Sequence, residues 1–208
     1  MRAPNSNAET LDLSQALATI AVLMGNSYVS FGVELQQTGT QPHVTLRVKD
    51  GQTVKEALDA IFAQAPSFEY RVVSDHVIDV YPKGALDYAN SPLNLRVSHF
   101  DVEDAPAAEV FMAPALFIRE LQTPQDKTRI WRFLGPFGSP HVTLHLRNVT
   151  VREGLNAVSE QSNREPDGPH GFGWIFDPQA AGAPEGRQWQ MFRTPSMKPA
   201  QSPKRDPQ

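Results

Sequence analysis

The sequence predicts an α+β fold made of two tandem small modules, each with about two helices packed on small mixed sheets of βαβ type. Three observations carry this. Pro42-His43-Val44-Thr45-Leu46 returns letter for letter as Pro140-His141-Val142-Thr143-Leu144. Each copy continues as an apolar–polar alternation, the two-residue period of a half-buried strand. Each then turns into a Thr-x-x-Glu sequence, Thr53 to Glu56 and Thr150 to Glu153, the capping box that opens a helix. Between these landmarks Arg47–Leu58 aligns with His145–Leu155, one residue shorter at the turn. Such internal self-similarity fixes the architecture before any single element is read.

In chain order, Leu13, Ala16, Leu17, Ile20, Ala21 and Met24 form one face of a helix that Gly25-Asn26 ends. Tyr28, Phe31 and Val33 read as a strand. Val44, Leu46 and Val48 form the inward face of the repeated strand, and Asp50-Gly51 turns the chain. The capped helix carries Val54, Ala57, Leu58, Ile61 and Phe62 at i, i+3, i+4, i+7 and i+8, with Pro66 beyond its end. Phe68, Tyr70 and Val72 lead into a hairpin that turns at Ser74-Asp75 and returns through Val77–Tyr81.

The second module opens with a strand through Leu95, Val97, Phe100 and Val102 into Glu103-Asp104, with Asp104 placed to cap a short helix over 106–111. Residues 112–138, with Pro114, Pro124 and Pro136, are expected to be irregular, and Trp131 and Phe133 fall there. The second repeated strand faces inward through Val142, Leu144 and Leu146 and turns at Asn148. Its helix offers Val151, Leu155 and Val158, with Gly154 weakening the middle by about 1 kcal/mol relative to alanine. A second hairpin enters through Phe172, Trp174 and Phe176 and leaves through Trp189, Met191 and Phe192. The predicted organisation is a flexible N-terminus (1–10), a first module (11–82), a linker (83–94), a second module with longer loops (95–193) and a disordered proline-rich tail (194–208).

Composition narrows the function. With 208 residues and 40% hydrophobic content, two small cores are feasible. Nineteen basic against 23 acidic residues give a net charge of -4, unlike the basic stripe of a nucleic-acid binder. There is no cysteine, so disulfides, thiol nucleophiles and cysteine metal sites are all excluded. No apolar run reaches the roughly 18 residues of a membrane-spanning helix. The stretch from Leu11 to Met24 is interrupted by Asp12, Ser14, Gln15 and Thr19 and does not read as a signal peptide, so an export signal is expected upstream of this sequence.

Taken together, the segments Leu13–Met24, Val44–Val48, Thr53–Ile61 and Phe68–Tyr81 resemble the secretin and TonB short N-terminal domain. The second half resembles the same family through Val142–Val158, Phe172–Phe176 and Trp189–Phe192, and the likeness covers most of residues 11–193. The resemblance implies a periplasmic or cell-envelope setting and a non-catalytic role in protein–protein interaction with an envelope partner, with no cofactor and no catalytic residues. No barrel or secretin segment follows, as expected of a free-standing pair or the soluble part of a longer protein. A regulatory sensor coupling an outer-membrane receptor to transcription is a related alternative.

The other alternative, a small histidine-dependent metal-binding hydrolase, would draw on His141 and His145, which share one strand face, with His43 or His99 as a further ligand. That face also carries Thr143 and is the polar one, so solvated histidines are the expected outcome and no metal site is assigned. Asp101, Glu103 and Asp104 lack the apolar enclosure that would separate two carboxyl pKa values. Gly138-Ser139-Pro140 is not a nucleophile elbow, and Gly135-Pro136-Phe137-Gly138 lacks phosphate-loop spacing. Aromatic hairpins usually face a core, yet tryptophan is also enriched at binding hot spots. Trp174 and Trp189 are therefore the candidate partner-binding residues.

Overall fold

The computed structural model describes residues 9–23, 29–36, 40–49, 51–121, 130–134, 140–164 and 173–178. The first half runs β1 (Glu9–Asp12), α1 (Leu13–Leu23), β2 (Ser30–Glu34), β3 (His43–Leu46), α2 (Val54–Phe62), β4 (Phe68–Val72) and β5 (Val77–Pro82). The second follows the order of the first six of these, with β6 (Arg96–Pro106), α3 (Ala107–Met112), β7 (Ile130–Leu134), β8 (His141–Thr150), α4 (Val151–Ser162) and β9 (Gly173–Asp177), and no counterpart of β5 among the described residues. The fold is α+β with mixed sheets.

Local chemistry accounts for the helix starts. The Thr53 hydroxyl accepts from the Glu56 amide at 3.2 Å, and the Glu56 carboxylate accepts from the Thr53 amide at 2.8 Å. Thr150 and Glu153 reproduce this at 3.1 and 2.7 Å. Two orphan backbone donors are satisfied in each case. Asp12, which interrupts the apolar run in the sequence, does similar work for α1: its carboxylate accepts from the Gln15 amide at 2.8 Å.

Strand pairing makes one sheet from both halves. Its order is β4-β5-β2-β9-β7. β2 is parallel to β5 on one side and to β9 on the other, with Val33 opposite Val80 and Ile175. β4 is antiparallel to β5, and β7 antiparallel to β9. Two antiparallel ribbons, β1-β3 and β6-β8, stand apart from this sheet. Two cores result. Leu13, Leu17, Ile20, Phe31, Val33, Leu58, Ile61, Ile78 and Val80 pack the first. Phe100, Val102, Val110, Phe111, Leu155, Val158, Trp174 and Phe176 pack the second. Along β9, Ile175 joins the first core while Trp174 and Phe176 join the second, so the sheet is a partition with one core on each face.

Several expectations need correction. The N-terminal segment expected to be flexible contributes Glu9 and Thr10 to β1, because they complete the ladder with Leu46 and Thr45. The stretch expected to be irregular contains β7 and two 3-10 turns, Pro114–Leu116 and Arg119–Leu121. It is held by Ile118 and Leu121, both buried in the second core. Residues 83–94 are not an open linker. Leu93 is fully buried, and the Asn94 amide donates to the carbonyls of Ala85, Leu86 and Tyr88, closing the segment on itself. Asp104 is not a helix cap. It sits at the bulge of the β6-β8 ribbon with φ 45°, and α3 begins at Ala107 with Pro106 in the cap position and no side-chain cap. Met24, the Gly25-Asn26 stop, Phe172, the return strand through Trp189, Met191 and Phe192, and the tail lie outside the described residues.

Gly154 has a packing role that helix propensity conceals. A Cβ there would run into the Phe100 ring, which is fully buried. Gly154→Ala should therefore destabilise the protein by about 1–3 kcal/mol through overpacking. Propensity alone would stabilise it by about 1 kcal/mol. Chemical denaturation of the variant separates the two by the sign of the change.

Candidate functional site

The open edge of the five-stranded sheet is the candidate interaction site. Among the described residues β4 pairs only with β5. The amide of Lys83 donates to Ser67 and that of Val73 to Val77, so odd-numbered residues of this strand face β5 through their backbones. In an antiparallel ladder the intervening residues then point their N–H and C=O groups the other way. The Phe68 amide is used in a turn to Ala65. Tyr70 and Val72 are left with backbone groups directed off the sheet. Their side chains grade outward: Phe68 is buried, Tyr70 half-buried against Phe62, and Val72 64% exposed beside Val73 at 43%. The Tyr70 hydroxyl is fixed by Asp59 at 2.8 Å, which in turn pairs with Lys55. Burial and that carboxylate push the tyrosine pKa up. The strand is backed by β5 on one side and, among the described residues, unpaired on the other.

Behind it, reached from β4 through Arg71, is a buried ion cluster across the two halves. Arg152, from the first turn of α4, lies between Glu34 on β2 and Asp79 on β5, and all three side chains are 3% exposed or less. Its guanidinium donates to Asp79 at 3.1 Å and to Glu34. Ser91 donates to the other Glu34 oxygen at 3.2 Å, and Arg71 closes on the second oxygen of Asp79 at 2.9 Å. The rings of Tyr81 and Trp174 flank Arg152 at 5.5 and 5.9 Å, within cation–π range. Burial pushes the Glu34 carboxyl up, and the Arg152 charge opposes this. An open cleft of about 280 Å³ runs past Glu34, Gln36, Lys83 and Tyr88. Both Glu34 oxygens are already engaged, so the carboxylate does not face that cleft as a free base.

In comparisons with known proteins, no family model matches the chain, and no curated protein or solved structure does.

The residues singled out in the sequence fall as follows. Trp174 is fully buried, its indole N–H donating to Asn156 at 3.1 Å, so it offers no surface to a partner; it is a core residue. Trp189 lies outside the described residues, as do Gly135–Ser139. His141 and His145 are exposed on the outer face of the β6-β8 ribbon, but each has its own carboxylate. His141 meets Asp104 at 2.9 Å, while His145 meets Asp101 at 3.2 Å and Glu103 at 3.3 Å. His99 stands 3.8 Å from Asp101, and His43 is on the other ribbon. Hydrogen bonding from Arg147 at 2.7 Å holds the Asp101 carboxyl below its usual range. An arginine at that position competes with any cation. Among the described residues no group of three His, Cys, Asp or Glu could hold a metal ion. No described helix is long and apolar enough to cross a membrane.

The ion cluster is absent from the sequence reading. Its one visible signal is Asp79, a carboxylate inside the apolar run Val77-Ile78-Asp79-Val80-Tyr81.

Proposed function

We propose that this chain is a non-catalytic protein-interaction module of the bacterial periplasm or cell envelope, formed of two tandem units similar to the secretin and TonB short N-terminal domain. The observation that carries the interaction role is the β4 edge, with outward backbone groups at Tyr70 and Val72 and an exposed apolar end. An unpaired edge recruits an extended partner segment through main-chain hydrogen bonds. The shared order of elements in the two halves and the paired capping boxes support the family reading. The envelope setting rests on that resemblance.

The lack of native cysteine makes the test clean. Val72→Cys carrying a photo-crosslinker should capture an envelope protein from extract. The same label at Lys55→Cys, on the exposed face of α2, should not. Equal capture at both positions, or none at Val72, removes the interaction role. Recovery of the protein in the cytoplasmic fraction of the source cells removes the envelope setting.

A further inference from the structure

We infer that the β4 edge takes up a second copy of this chain, whose β7 edge lies parallel against it, so that copies join head to tail into an open-ended assembly. This rests on the reading of β4 as a docking edge and names one occupant for it. The argument starts from the directions of the strands. If β2 points up, β5 and β9 also point up, and β4 and β7 point down. By order along the chain, β9 corresponds to β4, each being the first strand after the capped helix. β7 corresponds to β2, each preceding the repeated strand. Corresponding strands therefore run in opposite directions.

They also serve opposite faces. Phe31, Val33 and Phe68 enter the first core, and Trp174 and Phe176 the second, on the other side of the sheet. Along the sheet, however, the order is preserved though the spacing is not: β4 comes before β2 with β5 between them, and β9 comes directly before β7, β5 having no counterpart among the described residues. A half-turn about an axis running across the strands, combined with a step along that axis, reverses strand direction and face while keeping that order. Such a screw relation does not close after two units.

The step already taken inside the chain is the parallel pairing of β2 with β9. Repeating it requires a strand of the β4 type beside β7, again parallel. The β4 strand of another copy meets this condition, since β4 and β7 point the same way. Among the described residues each of these two strands has a neighbour on one side only. Glu69 and Arg71 put charge on β4, and Arg71 is turned to Asp79 of β5; the strand has no proline and no lysine, and Val72 leaves its outer end apolar and 64% exposed. Each copy adds the five described strands, so sheet twist of about 20–25° per strand would turn successive copies into a coil rather than a flat ribbon.

Sedimentation velocity of the purified chain over a wide concentration range tests this. The weight-average mass should rise from 23.0 kDa past that of two chains without a plateau. Val72→Pro removes an N–H that points off the sheet and no ladder bond to β5, so it should stay monomeric with an unchanged circular dichroism spectrum. Val72→Lys keeps the backbone intact and should also stay monomeric, which covers the case of a misfolded proline variant. A single 23.0 kDa species at every concentration overturns the inference, as does a mass that stops at two chains. Association unchanged by Val72→Lys overturns it too. If Val72 still captures an envelope protein while the pure chain stays monomeric, only the self-assembly inference falls.

Discussion

Replacing Arg152 with methionine should lower the free energy of unfolding by about 3–5 kcal/mol, the cost of removing one member of a buried ion group. The side chain is 3% exposed, and it is the cation that both Glu34 and Asp79 face. Without it, among the described residues, Asp79 retains only Arg71, whose side chain is 46% exposed, and Glu34 retains only the Ser91 hydroxyl. Methionine fills much of the volume, so the loss reports uncompensated charge rather than a cavity. The dependence on pH has a definite sign. Burial already raises the Glu34 carboxyl above its ordinary value, with Arg152 opposing, and loss of Arg152 raises it further. A carboxyl with a raised folded-state pKa binds more protons folded than unfolded, so stability increases as pH falls. The deficit of Arg152→Met should thus be largest at neutral pH, shrink as the pH falls through the raised Glu34 pKa, and level off below the ordinary carboxylate range, where the folded and unfolded chains are both protonated. Urea unfolding at several pH values measures both. A deficit below about 1 kcal/mol, or one independent of pH, would show that the cluster is not closed to solvent. Lys55→Met, at the same place in the repeated helix but 76% exposed, should leave stability unchanged.

That contrast explains what was legible in the sequence. Val54-Lys55-Glu56 and Val151-Arg152-Glu153 are the same three steps of a capped helix, and local pattern treats their middle residues alike. Strand alternation and helix caps depend on periods of two and 3.6 residues, so they can be read from neighbours in the chain. The repeated strands, both capped helices, the first hairpin and the fold class follow from that. What the local pattern does not contain is that α4 lies over the back of the other half's sheet. There Gly32, Glu34 and Asp79 meet Asn156, Trp174 and Arg152. Only one of the two repeated helices has a sheet of the other half beneath it, so Arg152 is buried and Lys55 is not. β7 escaped for a related reason. It is five residues long and flanked by proline-bearing segments, and its pairing to β9 is specified from outside its own segment. The open edge at β4 follows from sheet order, which no single strand encodes.

Trp174→Ala should cost about 3–5 kcal/mol of stability, the range for removing a large aromatic side chain from a core. As a surface anchor the residue would instead lose partner affinity while stability moved by no more than about 0.5 kcal/mol. Its position favours the first outcome for reasons beyond burial. The indole passes so close to β2 that a Cβ on Gly32 would sit 2.5 Å from its Cζ2 atom, so the two residues fit each other. Its N–H satisfies Asn156, itself only 4% exposed, and removing it leaves a buried acceptor without a partner. Its ring also flanks Arg152, coupling it to the ion cluster. Trp174→Phe separates these contributions: it keeps an aromatic surface, loses the hydrogen bond, and should cost about 1–3 kcal/mol. Because Trp174 and Arg152 touch, the double variant Trp174→Phe with Arg152→Met should differ from the sum of the singles by more than about 0.5 kcal/mol. Additive losses would mean that the strand joint and the ion cluster hold the two halves together independently.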